Sequence, residues 1–165
     1  MPDTSPPAPG LPARHVDERI RSTSADPAAL WRAVERIGGD RGWYGATPAW
    51  QLRGLADRAI GGPGMRRGRR DPDRLRVGDQ VDFWRVEEID RGRLLRLRAE
   101  MRLPGTAHLE FHVEHGADGG AVLRQRMAFE PDGLPGSAYW WASSTLHGVV
   151  FRTMVTGITR AAERG

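Results

Sequence analysis

The second half of the chain contains two kinds of hydrophobic periodicity, and their order limits the fold more than any other feature of the sequence. Between residues 93 and 129, three consecutive segments alternate apolar and polar or charged residues. This pattern is typical of strands that have one face on a core and the other face in solvent. After residue 137 the apolar residues recur every three or four positions, which predicts a long amphipathic helix.

These elements predict an α+β fold. The strands of an antiparallel meander are expected at Val81–Ile89, Arg93–Met101, Thr106–His115 and Ala121–Phe129, with short turns between them. The long helix is expected from Ser137 to about Arg164. A helix with such a long apolar stripe needs an apolar surface against it, so we expect a curved antiparallel sheet wrapped around this C-terminal helix.

The first half of the chain predicts one strand and two short helices. The strand is expected at His15–Ser22, and the first helix follows it, with Asp26 or Ser24 as N-cap. This helix ends at Gly38-Gly39, and a second helix is expected from Pro48 to Ile60.

The proline-rich segment 1–12 is predicted to be a disordered arm, which leaves 13–165 as a single domain. The sequence has neither a secretory signal pattern nor an apolar run of the ~18 residues that a membrane span needs. We therefore expect a cytoplasmic protein that does not bind membranes.

Composition excludes several classes of chemistry. The chain has no cysteine and no lysine, so all 25 of its basic residues are arginine. Disulfides, thiolate nucleophiles and cysteine-based metal sites are excluded, as are Schiff-base catalysis and a phosphate loop with lysine. The net charge of +4 raises nucleic-acid binding as a hypothesis. Because much of the arginine falls on the outer face of predicted strands, opposite glutamates, we expect no nucleic-acid partner.

Short motifs add a family resemblance to this order of elements. They are Gly42-Trp43-Tyr44, Trp50, Arg53-Gly54, Gly61-Gly62-Pro63-Gly64, Asp82-Phe83-Trp84-Arg85-Val86, Ala99-Glu100-Met101, and Tyr139-Trp140 with His147 and Phe151. From about Val16 to Arg160 the chain resembles a bacterial domain-of-unknown-function family in the START-like helix-grip superfamily of polyketide cyclases and lipid-transfer proteins. Many relatives carry a proline where this chain has Thr145, so we expect a straighter helix here. Other relatives are fused to short-chain-dehydrogenase-like domains, which implies an NAD(P)-dependent oxidoreductase as a partner.

The leading functional hypothesis is a small-molecule-binding domain whose apolar cavity accepts a lipid-like or aromatic metabolite, with no cofactor. The side chains expected to line the cavity are Phe83, Leu97, Phe111, Gln125, Met127, Tyr139, Trp140, His147 and Phe151. An interior amide such as Gln125 needs hydrogen-bond partners. His147 is either a packed residue with one hydrogen bond or a polar anchor, and its burial would disfavour the charged imidazolium.

Two alternatives remain open. In the first, the domain is a cyclase- or isomerase-type enzyme in which His147 is a general acid or base, Arg85 stabilises negative charge and Glu87 assists. This requires Val81, Phe83, Arg85, Glu87 and Ile89 to face the cavity, and we favour that set over Asp82, Trp84, Val86 and Glu88 because both its ends are apolar. In the second, the domain is an accessory to an NAD(P)-dependent oxidoreductase.

Two further motifs of the sequence are strongly charged. His108, Glu110, His112 and Glu114 alternate along one strand face, where next-but-one residues lie ~6.6–6.8 Å apart. Neighbouring strands offer arginines on the same face, so we interpret the motif as an outer charge ladder and not as a metal site. In the segment Gly61–Arg70, the residues Arg67, Arg69 and Arg70 are candidate contacts for an anion, although the Gly-Lys-[Ser/Thr] of a phosphate loop is absent.

Overall fold

A computed structural model describes residues 10–64 and 69–165. Its strands are β1 (His15–Thr23), β2 (Gln80–Val81), β3 (Trp84–Asp90), β4 (Leu94–Ala99), β5 (Gly105–His115) and β6 (Ala121–Pro131). Its α-helices are α1 (Pro27–Glu35), α2 (Thr47–Ala59) and α3 (Gly133–Glu163). The strands form one antiparallel sheet in the order β1-β6-β5-β4-β3-β2. The predicted α+β fold, a curved sheet around a long C-terminal helix, is confirmed.

The core lies between the inner face of the sheet and α3. Leu97, Leu109 and Met127 are cross-strand partners in one inward-facing row, and all three are buried. From α3, Phe151, Met154 and Ile158 pack toward this surface. The α3 helix begins four residues before the predicted Ser137 and runs without a break through Thr145. None of the helices in the described ranges is long and apolar enough to cross a membrane.

The predicted strand Val81–Ile89 is a hairpin. Val81 of β2 pairs with Trp84 of β3, and Asp82 between them adopts a left-handed conformation with φ of 55°. The register shifts again between Val86 and Glu88, where β3 has a bulge.

The hairpin reverses the expected orientation of β3. Trp84 and Val86 are buried, whereas Arg85 and Glu87 are exposed on the outer face. The face favoured in the sequence analysis is therefore wrong for this pair, because a two-residue turn and a bulge interrupt the period of two.

The outer face of the sheet carries the predicted charge ladder. Glu110 of β5 receives hydrogen bonds from Arg96 of β4 at 2.9 Å and from Arg126 of β6 at 3.1 Å. Further along the same face of β5, Glu114 accepts a hydrogen bond from Arg124 of β6 at 3.1 Å. The side chain of Glu110 has no exposed surface, although it lies on the face that the sequence assigned to solvent.

The chain before β1 explains this burial. The backbone N–H of Leu11 donates to Glu110, and the Leu11 carbonyl accepts from Arg126 at 2.6 Å. Gly10 lies against the same guanidinium, since a Cβ built there would come within 2.6 Å of Arg126 Nη1. Gly10 and Leu11, which belong to the predicted arm, thus lie on the sheet. Residues 1–9 of the arm lie outside the described residues.

Candidate functional site

A small pocket opens where α2, the N-terminal half of α3 and one end of the sheet meet. Its lining residues are Trp50, Arg53, Met101, Leu103, Ala107, Met127, Phe129, Tyr139, Trp140 and His147. The free volume is about 20 Å³, which is room for about one water molecule. Most of the space that the sequence assigned to a cavity is therefore filled by side chains.

His147 is a mostly buried side chain of this pocket, on the inward face of α3. Its ring centre lies 5.7 Å from that of Phe151 and 6.0 Å from that of Trp140. Burial lowers the pKa of His147 below its usual 6.5, the charge of Asp17 opposes that change, and the charge of Arg53 adds to it. The imidazole is accordingly neutral at pH 7.

A neighbouring serine orients the imidazole. Ser143 Oγ lies 3.5 Å from His147 Nδ1, and the Ser143 hydroxyl donates its one proton to the Tyr139 carbonyl at 2.7 Å. With its proton on the Tyr139 carbonyl, the Ser143 oxygen can accept a hydrogen bond from a protonated Nδ1. In that tautomer, His147 Nε2 has a lone pair that can accept a hydrogen bond or a proton.

Arg53 is the second polar group of the pocket. It lies on α2, with its guanidinium carbon 5.9 Å from the ring centre of Tyr139, and its Nη2 donates to the Arg102 carbonyl at 3.2 Å. Within residues 10–64 and 69–165, no carboxylate forms an ion pair with Arg53.

Two interior contacts hold α2 in place beside the pocket. Trp50 Nε1 lies 3.3 Å from Met154 Sδ on α3. Asp57, which is fully buried, accepts hydrogen bonds from the backbone N–H groups of Gly64 and Arg102 at 2.9 and 2.6 Å. The second contact fixes α2 to the strand connection that carries Met101 and Leu103.

The structure brings four of the nine predicted cavity residues to the pocket: Met127, Tyr139, Trp140 and His147. The other five, which are Phe83, Leu97, Phe111, Gln125 and Phe151, are fully buried in the core. Gln125 Nε2 donates to the Phe151 carbonyl at 3.1 Å, and Gln125 Oε1 has no partner among the described residues.

The catalytic set suggested by the sequence does not assemble. Arg85 and Glu87 lie on the outer face of the sheet, on the opposite side from His147. Arg85 forms an ion pair with Glu100, and Glu87 contacts His108. Neither side chain can assist His147 in this fold.

The candidate anion contacts are engaged within the chain. Arg69 Nη1 donates to the carbonyls of Glu35 and Ile37, at the end of α1. Arg70 forms two parallel hydrogen bonds with Asp79, at 3.1 and 3.0 Å. Arg67 lies outside the described residues.

Sequence reasoning missed Arg53 as a pocket residue and left Trp50 out of the predicted cavity lining. Both occur in the motifs that carry the family resemblance, which was the one available signal. Phe129 is the last residue of the predicted strand Ala121–Phe129 but was not predicted to be part of the site. Its inclusion depends on the position of α2, which no periodicity in the sequence specifies.

This fold and pocket define a class: a helix-grip domain, in which a curved antiparallel sheet closes on a C-terminal helix and a side-chain-lined pocket lies between them. The chain belongs to the family described as "Protein of unknown function (DUF2867)", whose model matches residues 11–154. The resemblance to a domain-of-unknown-function family is confirmed. Fusion to dehydrogenase-like domains stays a prediction. No curated protein matches the chain.

Solved structures share the fold at low sequence identity. DynU16, a protein in the dynemicin biosynthetic locus, is 16% identical with a TM-score of 0.55; the match covers 90% of this chain and 47% of DynU16, so the chain spans about half its length. Norcoclaurine synthase from Thalictrum flavum is 12% identical, with a TM-score of 0.55 and coverage of 88% and 91%. A Thermobifida fusca protein is 12% identical, with a TM-score of 0.56 and coverage of 90% and 93%. At these identities the likeness is one of fold.

Proposed function

We propose that the chain is a ligand-binding domain that holds one apolar, aromatic or lipid-like molecule between α2, α3 and the inner face of β5 and β6. The observation that carries this proposal is the presence of both His147 and Arg53 in the lining of an otherwise aromatic and aliphatic pocket. Polar groups in such surroundings are unfavourable unless something satisfies them. Pockets for small molecules commonly combine apolar walls with a few convergent polar groups.

The small free volume means that a ligand must displace side chains. Met101 and Met127 line the pocket, and methionine adapts its shape more readily than other apolar residues. On α2, Trp50 and Arg53 form one wall of the pocket, and Leu52 and Leu55 on the outer side of the helix are exposed. A ligand therefore enters by an outward shift of α2 together with new methionine rotamers.

The test uses N-phenyl-1-naphthylamine, an uncharged probe whose fluorescence rises in apolar surroundings. Ala107 lines the pocket, whereas Ala142 is exposed on α3. We expect the probe to bind wild type and Ala142→Leu equally, and Ala107→Leu at least ~10-fold more weakly because the added side chain fills the pocket. Melting temperatures check that both variants fold.

A wild-type protein that gives no rise in probe fluorescence, and no thermal shift with fatty acids or polycyclic aromatic compounds, overturns the proposal. Equal binding by the two leucine variants moves the ligand site away from this pocket. Native mass spectrometry of the freshly purified protein provides an independent check for a bound molecule.

A second candidate function is proton transfer by His147. In the tautomer with its proton on Nδ1, toward Ser143, the imidazole has a free lone pair on Nε2, and burial lowers the pKa of His147, which favours the unprotonated ring at neutral pH. These are properties of a general base. Arg85 and Glu87 take no part in this proton transfer. The cation that lies in the pocket, and that would stabilise negative charge in place of Arg85, is Arg53.

The enzyme candidate is tested with 2-tetralone, a bicyclic ketone with exchangeable α-protons. Wild type should accelerate hydrogen–deuterium exchange at these positions in D₂O, and His147→Gln should abolish the acceleration while it still binds the ketone. If wild type binds 2-tetralone but exchange proceeds at the uncatalysed rate, the enzyme candidate is rejected and the binding function remains.

A further inference from the structure

The ligand class of the pocket follows from the chemistry of Arg53. We infer that the natural ligand carries an oxyanion of planar shape, such as a carboxylate, on an apolar body, and that Arg53 selects for it. The inference rests on the proposed ligand-binding function and adds a head group to it.

The charges around Arg53 support this inference. Several partly buried arginines have carboxylate partners: Arg96 and Arg126 share Glu110, and Arg36 pairs with Asp73. Arg69 instead donates to backbone carbonyls. Arg53 has none within the described ranges, although it lies in a pocket walled by aromatic rings. An anion that enters the pocket would supply this missing partner.

The hydrogen bonding of Arg53 also supports this inference. One N–H, on Nη2, is used by the Arg102 carbonyl, and the face of the guanidinium lies near the Tyr139 ring. Four of its five N–H donors have no partner among the described residues. Two parallel N–H groups match the two oxygens of a carboxylate. Because its contacts with Arg102 and Tyr139 orient the guanidinium, Arg53 is preorganised to bind a carboxylate.

The other polar groups of the pocket leave this charge uncompensated. His147 is neutral at pH 7. Asp17 is the carboxylate whose charge reaches His147, and it is already paired with Arg19 at 3.2 Å. The pocket is therefore net positive, and an acid fits it better than a neutral molecule or an amine of the same shape.

The geometry also orients the ligand. Arg53 is only partly buried, whereas Met127 and Phe129 on β6 are buried. An acid bound at Arg53 would have its head group toward the opening and its apolar body toward the sheet. Aromatic acids and fatty acids both meet this description, and the arms of the experiment distinguish them.

The experiment compares 2-naphthoate, 2-naphthamide and decanoate by isothermal titration calorimetry. The amide has the shape of the naphthoate without its charge. The proteins are wild type, Arg53→Met and Arg58→Met, because Arg58 lies on the same helix and is exposed. Wild type should bind naphthoate at least ~10-fold more tightly than naphthamide, since a paired charge strengthens the hydrogen bonds.

The Arg53 variants distinguish the contribution of the ligand's charged head group to affinity from that of its apolar body. Arg53→Met should lose at least ~10-fold in affinity for naphthoate and keep its affinity for naphthamide within about twofold, while Arg58→Met behaves as wild type. Arg53→Lys, which keeps the charge without the planar fork, should fall between wild type and Arg53→Met. It also serves as the test if Arg53→Met does not fold. Preference of wild type for decanoate over naphthoate assigns a fatty acid, and the reverse assigns an aromatic acid.

Equal affinity of wild type for naphthoate and naphthamide overturns the inference. Binding of N-phenyl-1-naphthylamine without binding of either acid also overturns it, and leaves the proposed function intact. Failure of every probe, the uncharged ones included, rejects the proposed function and the inference together.

Discussion

The backbone N–H of Leu11 donates a 3.1 Å hydrogen bond to Oε1 of Glu110, a carboxylate without exposed surface on the outer face of the sheet. Burial by itself would raise the pKa of Glu110. Hydrogen bonds from His112, Leu11 and Arg96, together with the charge of Arg96, outweigh burial and lower the pKa to about 2. The segment before β1 therefore helps to keep a buried carboxylate charged.

The first prediction concerns the pH dependence of stability. The pKa of Glu110 is about 2 in the folded chain against a usual 4.5, so the unfolded chain binds this proton first as the pH falls. The contribution of Glu110 is complete above about pH 5 and is lost between about 4.5 and 2, to a total of about 3 kcal/mol. Urea unfolding of wild type and Glu110→Gln across this range measures the difference.

Glu114→Gln is the matched control, because Glu114 lies on the same strand as Glu110. Its ion pair, with Arg124 of β6, is more exposed. It should leave most of the acid dependence in place, since exposed ion pairs contribute little. If wild type and Glu110→Gln lose stability in parallel from pH 5 to 2, the pKa of Glu110 is not depressed by these contacts.

The cluster around Glu110 shows what the sequence can specify. The alternation of side chains along a strand places Glu110, Arg96 and Arg126 on one face, and that part of the ladder was predicted from the sequence alone. The contact with Leu11 was not, because the two residues are 99 positions apart and a proline-rich segment has no periodicity to place it. Short-range patterns determine faces, whereas such long-range contacts depend on the whole fold.

The candidate site residues also differ in how well the sequence could place them. His147 was placed correctly because a helical stripe fixes its side of α3. Arg85 and Glu87 were misplaced because the turn at Asp82 contains no glycine or proline to mark it. Arg53 was missed because α2 lies against the pocket through a few side chains and has a weak apolar stripe. The anchors from α3 were therefore predictable, and the polar partner from α2 was not.

The second prediction distinguishes two arginines of the arginine-rich segment. Arg69 Nη1 binds the carbonyls of Glu35 and Ile37 at 2.8 and 2.7 Å, so Arg69→Met should lower the free energy of unfolding by about 1–3 kcal/mol. Arg70→Met removes an exposed pair with Asp79 and should have a much smaller effect. Equal effects in urea unfolding would mean that Arg69 does not cap α1.

The third prediction uses two glycines of α3. A Cβ at Gly157 would lie 2.3 Å from the Tyr44 carbonyl oxygen, whereas the nearest atom to a Cβ at Gly148 is Arg19 Nη2 at 3.5 Å. Gly157→Ala should destabilise the protein by about 1–3 kcal/mol through overpacking. Gly148→Ala should stabilise it by up to ~1 kcal/mol, because alanine favours helix. Thermal unfolding should show melting temperatures that move in opposite directions; a shift in the same direction contradicts the close approach at Tyr44.

The fourth prediction links Asp57 to the pocket. An asparagine at this fully buried position has one acceptor oxygen, so one of the N–H groups of Gly64 and Arg102 loses its partner. Asp57→Asn should lower the free energy of unfolding by about 1–3 kcal/mol. Asp90→Asn, at an exposed position, is the control and should change little.

Because Asp57 fixes α2 beside Met101 and Leu103, amide exchange at Gly64 and Arg102 should accelerate in Asp57→Asn, and N-phenyl-1-naphthylamine should dissociate faster. Unchanged exchange at both amides would show that α2 is held by other contacts.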